Sequence, residues 1–256
     1  MIKAIGIIPA RMESSRFPGK PLKKICHIPM IGHVYLRSKL SNLLDEVYVA
    51  TCNNEIHDYI LSIGGKSIMT SNKHQRASDR TAEAVSIIEK KDLKKINFVC
   101  MIQGDEPLIY PDMINEGLAP MINDSNIKIT NLMSVINSKK EWSDPNEVKV
   151  VANKENYAMY FSREPIPSNK KFDNNIEYFK QVCIISFDRK YLLEYCDLEP
   201  TPLEIIESVD MNRCLEYGTK VKMVKTDYET FSVDTQEELK KVEKLMKNDK
   251  LFSSYK

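Results

Sequence analysis

The chain is poor in glycine and tryptophan, with eight of the one and a single copy of the other in 256 residues. The glycine count follows a general bias toward Lys, Ile and Asn and carries no functional signal. No apolar run approaches the ~20 residues a membrane-spanning helix needs. No GxGxxG occurs, so the dinucleotide fingerprint is missing. The six cysteines (Cys26, Cys52, Cys100, Cys183, Cys196, Cys214) form no CxxC pair. Buried, reduced thiols are expected rather than a metal knot or a disulfide framework. Charge of one sign is lacking too: 37 basic and 36 acidic residues give a net +1, with no basic half or tail. A nucleic-acid or anionic-membrane binder would show such a footprint, so neither partner is expected. Met1-Ile2-Lys3 leads straight into a strand-like run with no secretory h-region, and a cytoplasmic protein is the expectation.

What is present is enough apolar residue, 42%, to build one large core or one domain with an elaboration. Strand-like runs at Ile2–Ile8, Glu46–Ala50, Lys66–Met69 and Asn97–Gln103 alternate with helical periodicity. Helices are expected at Pro29–Leu40, near Glu55–Ile63, and from an N-cap at Ser78 to about Lys90. This rhythm implies an α/β fold with a mainly parallel sheet covered by helices on both faces. From about Ile127 the pattern changes. Strands at Ile127–Val135, Val148–Ala152, Tyr157–Ser162 and Gln181–Phe187 follow without long helices between them. They read as an inserted antiparallel β subdomain over about 127–200 of a single domain, with Trp142 filling its core. Helices return around Leu203–Tyr217, then a strand at Lys220–Lys225. Thr235 and Glu238 form a capping box for a last helix with Leu239, Val242, Leu245 and Met246 on its apolar stripe.

Three constellations carry chemistry. The first is PARMESSRFPGKPL, residues 9–22, directly behind the first strand. Arg11, Arg16 and Lys20 are interleaved with Ser14, Ser15 and Gly19. Loops at the carboxyl ends of such strands bind ligands, and amides of a Gly/Ser loop with nearby cations suit phosphate oxygens. A P-loop is excluded, because Ser14 stands where its first Gly belongs and Pro21 where Ser or Thr would ligate magnesium. The second is Gln103-Gly104-Asp105-Glu106-Pro107 at the end of the fourth strand. The third is Ser232-Val233-Asp234-Thr235 at a strand-to-helix junction. Alone, the first acidic segment is equally readable as a solvent-facing turn, and the second reads more readily as helix N-terminal decoration. Together, Asp105 and Asp234 beside a cationic loop suit Mg²⁺ on a triphosphate, since that ion takes one or two carboxylates plus phosphate oxygens.

The opening loop, followed in order by VYVAT (47–51), DR (79–80), QGDEP (103–107), PNEVKVV (145–151), YAMYFSR (157–163), PLE (202–204) and VDT (233–235), resembles the 3-deoxy-manno-octulosonate cytidylyltransferases, or CMP-Kdo synthetases. The resemblance runs from Ile2 to about Met246. It implies a Rossmann-like nucleotidyltransferase fold and transfer of a cytidylyl group from CTP to a 2-keto-3-deoxy sugar acid, with release of pyrophosphate. It further implies Mg²⁺ as cofactor, a homodimer, and a place in lipopolysaccharide biosynthesis. By the same resemblance, Arg11, Arg16 and Lys20 are catalytic. Pro9, Ala10, Arg11, Ser15, Lys20, Arg80, Gln103, Gly104 and Asp105 hold the nucleotide. Gln103, Arg163, Gln181, Glu207 and Met211 face the sugar acid, and Asp105 and Asp234 hold the metal. No Ser–His or Cys–His pair is required, so His27, His33, His57 and His74 are read as structural.

The departures fall away from the triphosphate machinery. Ala77 replaces a Gly before Asp79-Arg80, Gln181 stands for a sugar-facing His, Met211 for an amide, and Asp210 for a Glu. Losing hydrogen-bonding partners changes which ligand a polar pocket accepts. Two readings therefore stay open for the acceptor, Kdo or an altered ulosonic acid. Activation of a sugar phosphate, or a non-catalytic nucleotide-sugar-binding paralogue, are the competing functions.

Overall fold

The computed structural model describes residues 3–14, 16–92, 95–168 and 176–256. The chain divides into two compact units, Met1–Asn115 with Thr230–Lys256, and Glu116–Glu229.

In the first unit, strand β1 (Ala4–Ala10) is buried at all seven positions. Solvent touches neither face of such a strand, as expected of a parallel sheet covered by helices. A short hairpin follows, β2 (Lys24–Ile25) and β3 (Ile28–Pro29). Its two turn residues, Cys26 and His27, both have positive φ, 47° and 73°. Positive φ at both central positions matches the twist of a two-residue hairpin, though neither residue advertises it. Then come α1 (Met30–Ser38), β4 (Glu46–Thr51), α2 (Asn54–Ser62), β5 (Ser67–Met69), α3 (Ala77–Asp92) and β6 (Phe98–Ile102). The strand order is β6-β1-β4-β5, all parallel, with Ile7 paired to Tyr48 on one side and Met101 on the other. Helices α1, α2 and α3 pack on these strands. Ser78 is not an N-cap: α3 already begins at Ala77, and Ser78 is buried in its first turn. Helix α4 (Pro111–Asn123) was not anticipated, although Pro111 and Asp112 are suited to a helix start.

The second unit contains β7 (Ile129–Val135), α5 (Lys139–Trp142), β8 (Lys149–Ala152), β9 (Ala158–Ser162), β10 (Phe179–Asp188), α6 (Arg189–Cys196), α7 (Pro202–Glu207), α8 (Asp210–Glu216) and β11 (Lys222–Lys225). Strand β10 is antiparallel to β7 and β8, β8 is antiparallel to β9, and β11 is parallel to β7. The unit is wider than the expected 127–200 insertion. Helix α6 went unpredicted, and Ser208, at φ 52°, separates α7 from α8. A bulge shifts the register of β10 between Val182 and Ile185. Bulges orphan backbone groups, and buried Asn131 compensates here. Its Nδ2 donates to the carbonyls of Val182 at 2.7 Å and Ile184 at 3.4 Å. Trp142 does not fill a core. It is half-buried, donating Nε1–H to the Ile166 carbonyl at 3.3 Å and meeting Tyr178 edge-on.

The chain closes in the first unit with α9 (Gln236–Lys247). The Thr235 hydroxyl accepts from Glu238 N at 3.2 Å, while the Glu238 carboxylate reaches back to Asp234 N at 2.7 Å. Leu239, Val242 and Met246 enter a core cluster with Phe17, Ile25, Met30, Leu108 and Val233. Leu245 stays exposed. All six cysteines are free thiols.

Candidate functional site

The cationic loop leaves β1 at Pro9-Ala10 and is pinned at four points. Met12 N donates to Asn53 Oδ1 at 3.0 Å, and Phe17 N to Ser14 Oγ at 3.2 Å. Gly19 N donates to the Met12 carbonyl at 3.3 Å, and its φ of +70° makes the return turn possible at low cost. The fourth point is the Phe17 ring, buried in the core cluster. These ties deliver Lys20 into a short 3₁₀ turn, Lys20–Leu22.

The two acidic segments reach the same place by different routes. Gln103-Gly104-Asp105 continues from β6. A Cβ on Gly104 would lie 3.3 Å from the Pro9 carbonyl oxygen and 3.2 Å from Ile31 Cδ1, so glycine lets this turn lie against the end of β1. Val233 packs in the same cluster as Phe17 and Leu108 and donates its N–H to the Asp105 carbonyl at 3.0 Å. Asp234, the next residue, is thereby set beside Asp105.

Lys20 Nζ lies 2.8 Å from Asp105 Oδ2 and 2.8 Å from Asp234 Oδ1, and Arg16 Nη2 lies 2.9 Å from Asp234 Oδ2. The Lys20 side chain is 14% exposed. Burial alone would push its ammonium down, but the Asp105 and Asp234 carboxylates outweigh it and hold the pKa above the ordinary lysine value. The group is a firm cation.

These side chains stand in a cleft of about 360 Å³. Pro9, Ala10, Arg11, Arg16, Lys20, Arg80, Gln103, Gly104, Asp105 and Asp234 all line it. Ser15 lies outside the described residues. Sequence reasoning missed Glu13, Pro21 and Gln75 as lining residues and read His74 as structural, yet His74 lines the cleft too. Its Nε2 is paired with Glu83 Oε2 at 2.6 Å, and Glu83 also accepts from Ser71 N. Arg80 is buried and donates to Thr70 Oγ1 at 2.6 Å and to the Ser71 carbonyl at 3.3 Å. Arg80 therefore holds the 70–71 turn as well as facing the cleft. Arg11 is exposed.

The remaining predicted residues belong to the second unit. Arg163 donates from Nε to the Glu207 carbonyl at 2.8 Å and from Nη1 to the Pro145 carbonyl at 2.9 Å. The Glu207 carboxylate accepts from Arg163 N at 2.8 Å, Ser162 Oγ at 2.7 Å and Tyr160 OH at 3.0 Å. Burial opposes its ionisation, but these donors prevail and hold the pKa below the usual carboxylate value. Gln181 gives its amide to Asn131 Oδ1 at 2.6 Å. Met211 is fully buried and offers a ligand no surface. Thus Arg163 and Glu207 form one knot, Gln181 supports the bulge of β10, and Met211 belongs to the core.

Asp105 and Asp234 can hold a hard cation. Two carboxylates whose oxygens converge on one ammonium suit Mg²⁺, which leaves its other positions to water and phosphate. No cluster of three His, Cys, Asp or Glu fit for a metal exists among the described residues, and the donors that Asp105 and Asp234 offer are carboxylate oxygens. No helix among the described residues is long and apolar enough to cross a membrane.

Comparison with known proteins joins this geometry to a lineage. The 3-deoxy-manno-octulosonate cytidylyltransferase of Thermodesulfovibrio yellowstonii is 41% identical over 249 residues, covering 94% of this chain and 97% of the relative. That of Fusobacterium nucleatum is 41% identical over 250 residues, covering 98% and 99%. A solved CMP:2-keto-3-deoxy-manno-octonic acid synthetase complexed with CTP superposes with a TM-score of 0.88 at 36% identity, covering 96% of this chain and 99% of that one. The family model described as Cytidylyltransferase matches residues 5–255. With cationic loop, paired carboxylates and α/β sheet all accounted for, the chain belongs to the cytidylyltransferase family.

Proposed function

We propose that this protein transfers a cytidylyl group from CTP to the anomeric hydroxyl of 3-deoxy-manno-octulosonate, releasing pyrophosphate. The observation that carries this reading is the meeting of Lys20 and Arg16 with Asp105 and Asp234 in one cleft. The hydroxyl oxygen bonds to the α-phosphorus, the bond to the α–β bridging oxygen breaks, pyrophosphate leaves, and the hydroxyl proton passes to solvent. Little covalent work falls to the protein, so catalysis comes from positioning and charge neutralisation. Lys20 bears on the α-phosphate, and Arg11 and Arg16 on the departing phosphates. Gln103 and Gly104 line the cleft, and Ser15 belongs to the same phosphate loop. A Mg²⁺ ion held by Asp105 and Asp234 would supply charge neutralisation on the triphosphate.

The named relatives support Kdo as the acceptor. An altered ulosonic acid stays the alternative acceptor, but Gln181 and Met211 do not argue for it, since the Gln181 amide is engaged by Asn131 and Met211 is sealed in the core. The reading includes a cytoplasmic homodimer serving lipopolysaccharide assembly. Ile205 and Ile206 on α7, 62% and 76% exposed, support an interface between copies. The test is pyrophosphate release with Mg²⁺ and CTP across Kdo, 8-amino-Kdo, a neuraminic-type acid and a no-acid control. Release with Kdo is expected. Release with none of the acids would overturn the reading.

A further inference from the structure

A cleft that receives a polyanion would be expected to present free cations, yet two of its cations are already neutralised by its own carboxylates. Lys20 touches both Asp105 and Asp234, and Arg16 takes the remaining oxygen of Asp234. The four side chains sum to zero formal charge. The Lys20 ammonium also sits where the two carboxylates converge, which is the position a shared divalent cation would need.

We propose that Lys20 is a built-in counter-cation: in the free protein its ammonium occupies the place between Asp105 and Asp234, and it vacates that place when a nucleoside triphosphate arrives to receive it, so that metal and nucleotide bind as one coupled event. This rests on the cytidylyltransferase reading of the same cleft and goes beyond it by assigning the free protein a metal-excluding state.

The physical case has three parts. Two cations cannot share a pair of carboxylates a few ångströms apart without strong repulsion. The exchange is mechanically easy, because Lys carries its charge on a flexible four-carbon stem with three donors. Gly19, Phe17 and the Lys20–Leu22 turn hold the backbone, so only the side chain needs to swing. Finally, the coupling is reciprocal: whatever draws Lys20 away from the carboxylates raises metal affinity, and metal on the carboxylates frees Lys20 for phosphate. An ordinary structural clamp predicts the opposite response to removing the lysine, since the acidic segments would loosen and metal binding would weaken or stay unchanged.

The experiment is a titration with Mn²⁺ alone, read by the EPR signal of free Mn²⁺, with no nucleotide or sugar present. Wild-type protein is expected to bind weakly. Lys20→Gln is expected to bind about tenfold tighter or more, because one unit of positive charge has left the site. Lys20→Met serves as a second variant should the first fold poorly, with circular dichroism checking both. Adding Asp105→Asn to Lys20→Gln should return the affinity to the weak wild-type level. If folded Lys20→Gln and Lys20→Met bind Mn²⁺ no more tightly than wild type, the proposal is overturned. It is overturned as well if the tighter binding persists once Asp105→Asn is added. Pyrophosphate release by wild type is measured separately, so the cytidylyltransferase reading and the counter-cation proposal stand or fall independently.

Discussion

The backbone N–H of Val233 donates to the carbonyl of Asp105 at 3.0 Å, across 128 positions of sequence (233 less 105). This bond aligns two segments that each end in a carboxylate, and Lys20 closes the set by touching both. The hydrophobic cluster of Phe17, Leu108 and Val233 beneath them makes the arrangement a product of packing as much as of charge.

Truncating Phe17 tests that dependence on packing. Phe17→Ala removes a buried ring and should cost about 3 kcal/mol of stability. Because the ring also anchors the cationic loop, KM for CTP should rise in the fraction that remains folded. Urea denaturation gives the first quantity and initial-rate kinetics the second. Unchanged stability would mean the loop does not depend on the cluster.

Arg37 is fully buried and joins α1 to the C-terminal segment. It donates to the carbonyl of Ile109 at 2.6 Å, pairs with Asp249, and reaches Tyr255 OH at 3.2 Å. Arg37→Met leaves Asp249 and a carbonyl without their donor and should destabilise by about 3–5 kcal/mol. Adding Asp249→Asn should recover part of the loss, which denaturation of the double variant measures.

His33 gives a pH dependence with a definite sign. Burial pushes its imidazole below the ordinary value, and nearby Arg37 acts the same way against hydrogen bonding that opposes it. The Ile25 carbonyl can only accept, so Nε2 donates there at 2.8 Å and Nδ1 accepts from Tyr255 OH at 3.0 Å. The unfolded chain therefore takes up the proton first as pH falls. This contribution to stability is complete above the unfolded value of about 6.5 and is lost as pH falls toward the lower folded value. Melting temperatures between pH 7.5 and 5.5 should decline, and His33→Gln should flatten that decline.

Asn131 satisfies two carbonyls of the β10 bulge while Gln181 holds it from the other side. Asn131→Leu should cost about 1–3 kcal/mol by leaving buried acceptors unsatisfied. Gln181→Ala should cost less, since Asn131 keeps its own donors. Equal losses would contradict the proposed order of dependence, and thermal denaturation of both variants decides it.

Most of the first unit was legible because its strands are short apolar runs and its site residues sit at strand ends, where both periodicity and chemistry speak. The meeting of Lys20 with Asp105 and Asp234 was readable as a set of residue types, but the direct bridge was not. It depends on a tertiary bond from Val233 and on the burial of Phe17, neither of which leaves a local signal. The Cys26-His27 turn escaped notice because neither residue is the glycine or asparagine that usually marks positive φ. The surroundings of Gln181 and Met211 were not legible for a different reason. A resemblance transfers positions along a strand or helix, but it does not reveal that Asn131 claims the amide or that the thioether is sealed away.

The first unit is discontinuous in sequence, and this sets an order of assembly. A ribosome delivers Lys20 and Asp105 early, then all of Glu116–Glu229, and only afterwards Asp234 and α9. Until then Lys20 has one carboxylate instead of two, and Phe17 lacks Val233, Leu239, Val242 and Met246 as neighbours. The second unit is synthesised whole and can close first. The cleft and the hydrophobic platform beneath it are thus completed together, because the segment that supplies Val233, Leu239, Val242 and Met246 is the same one that brings Asp234.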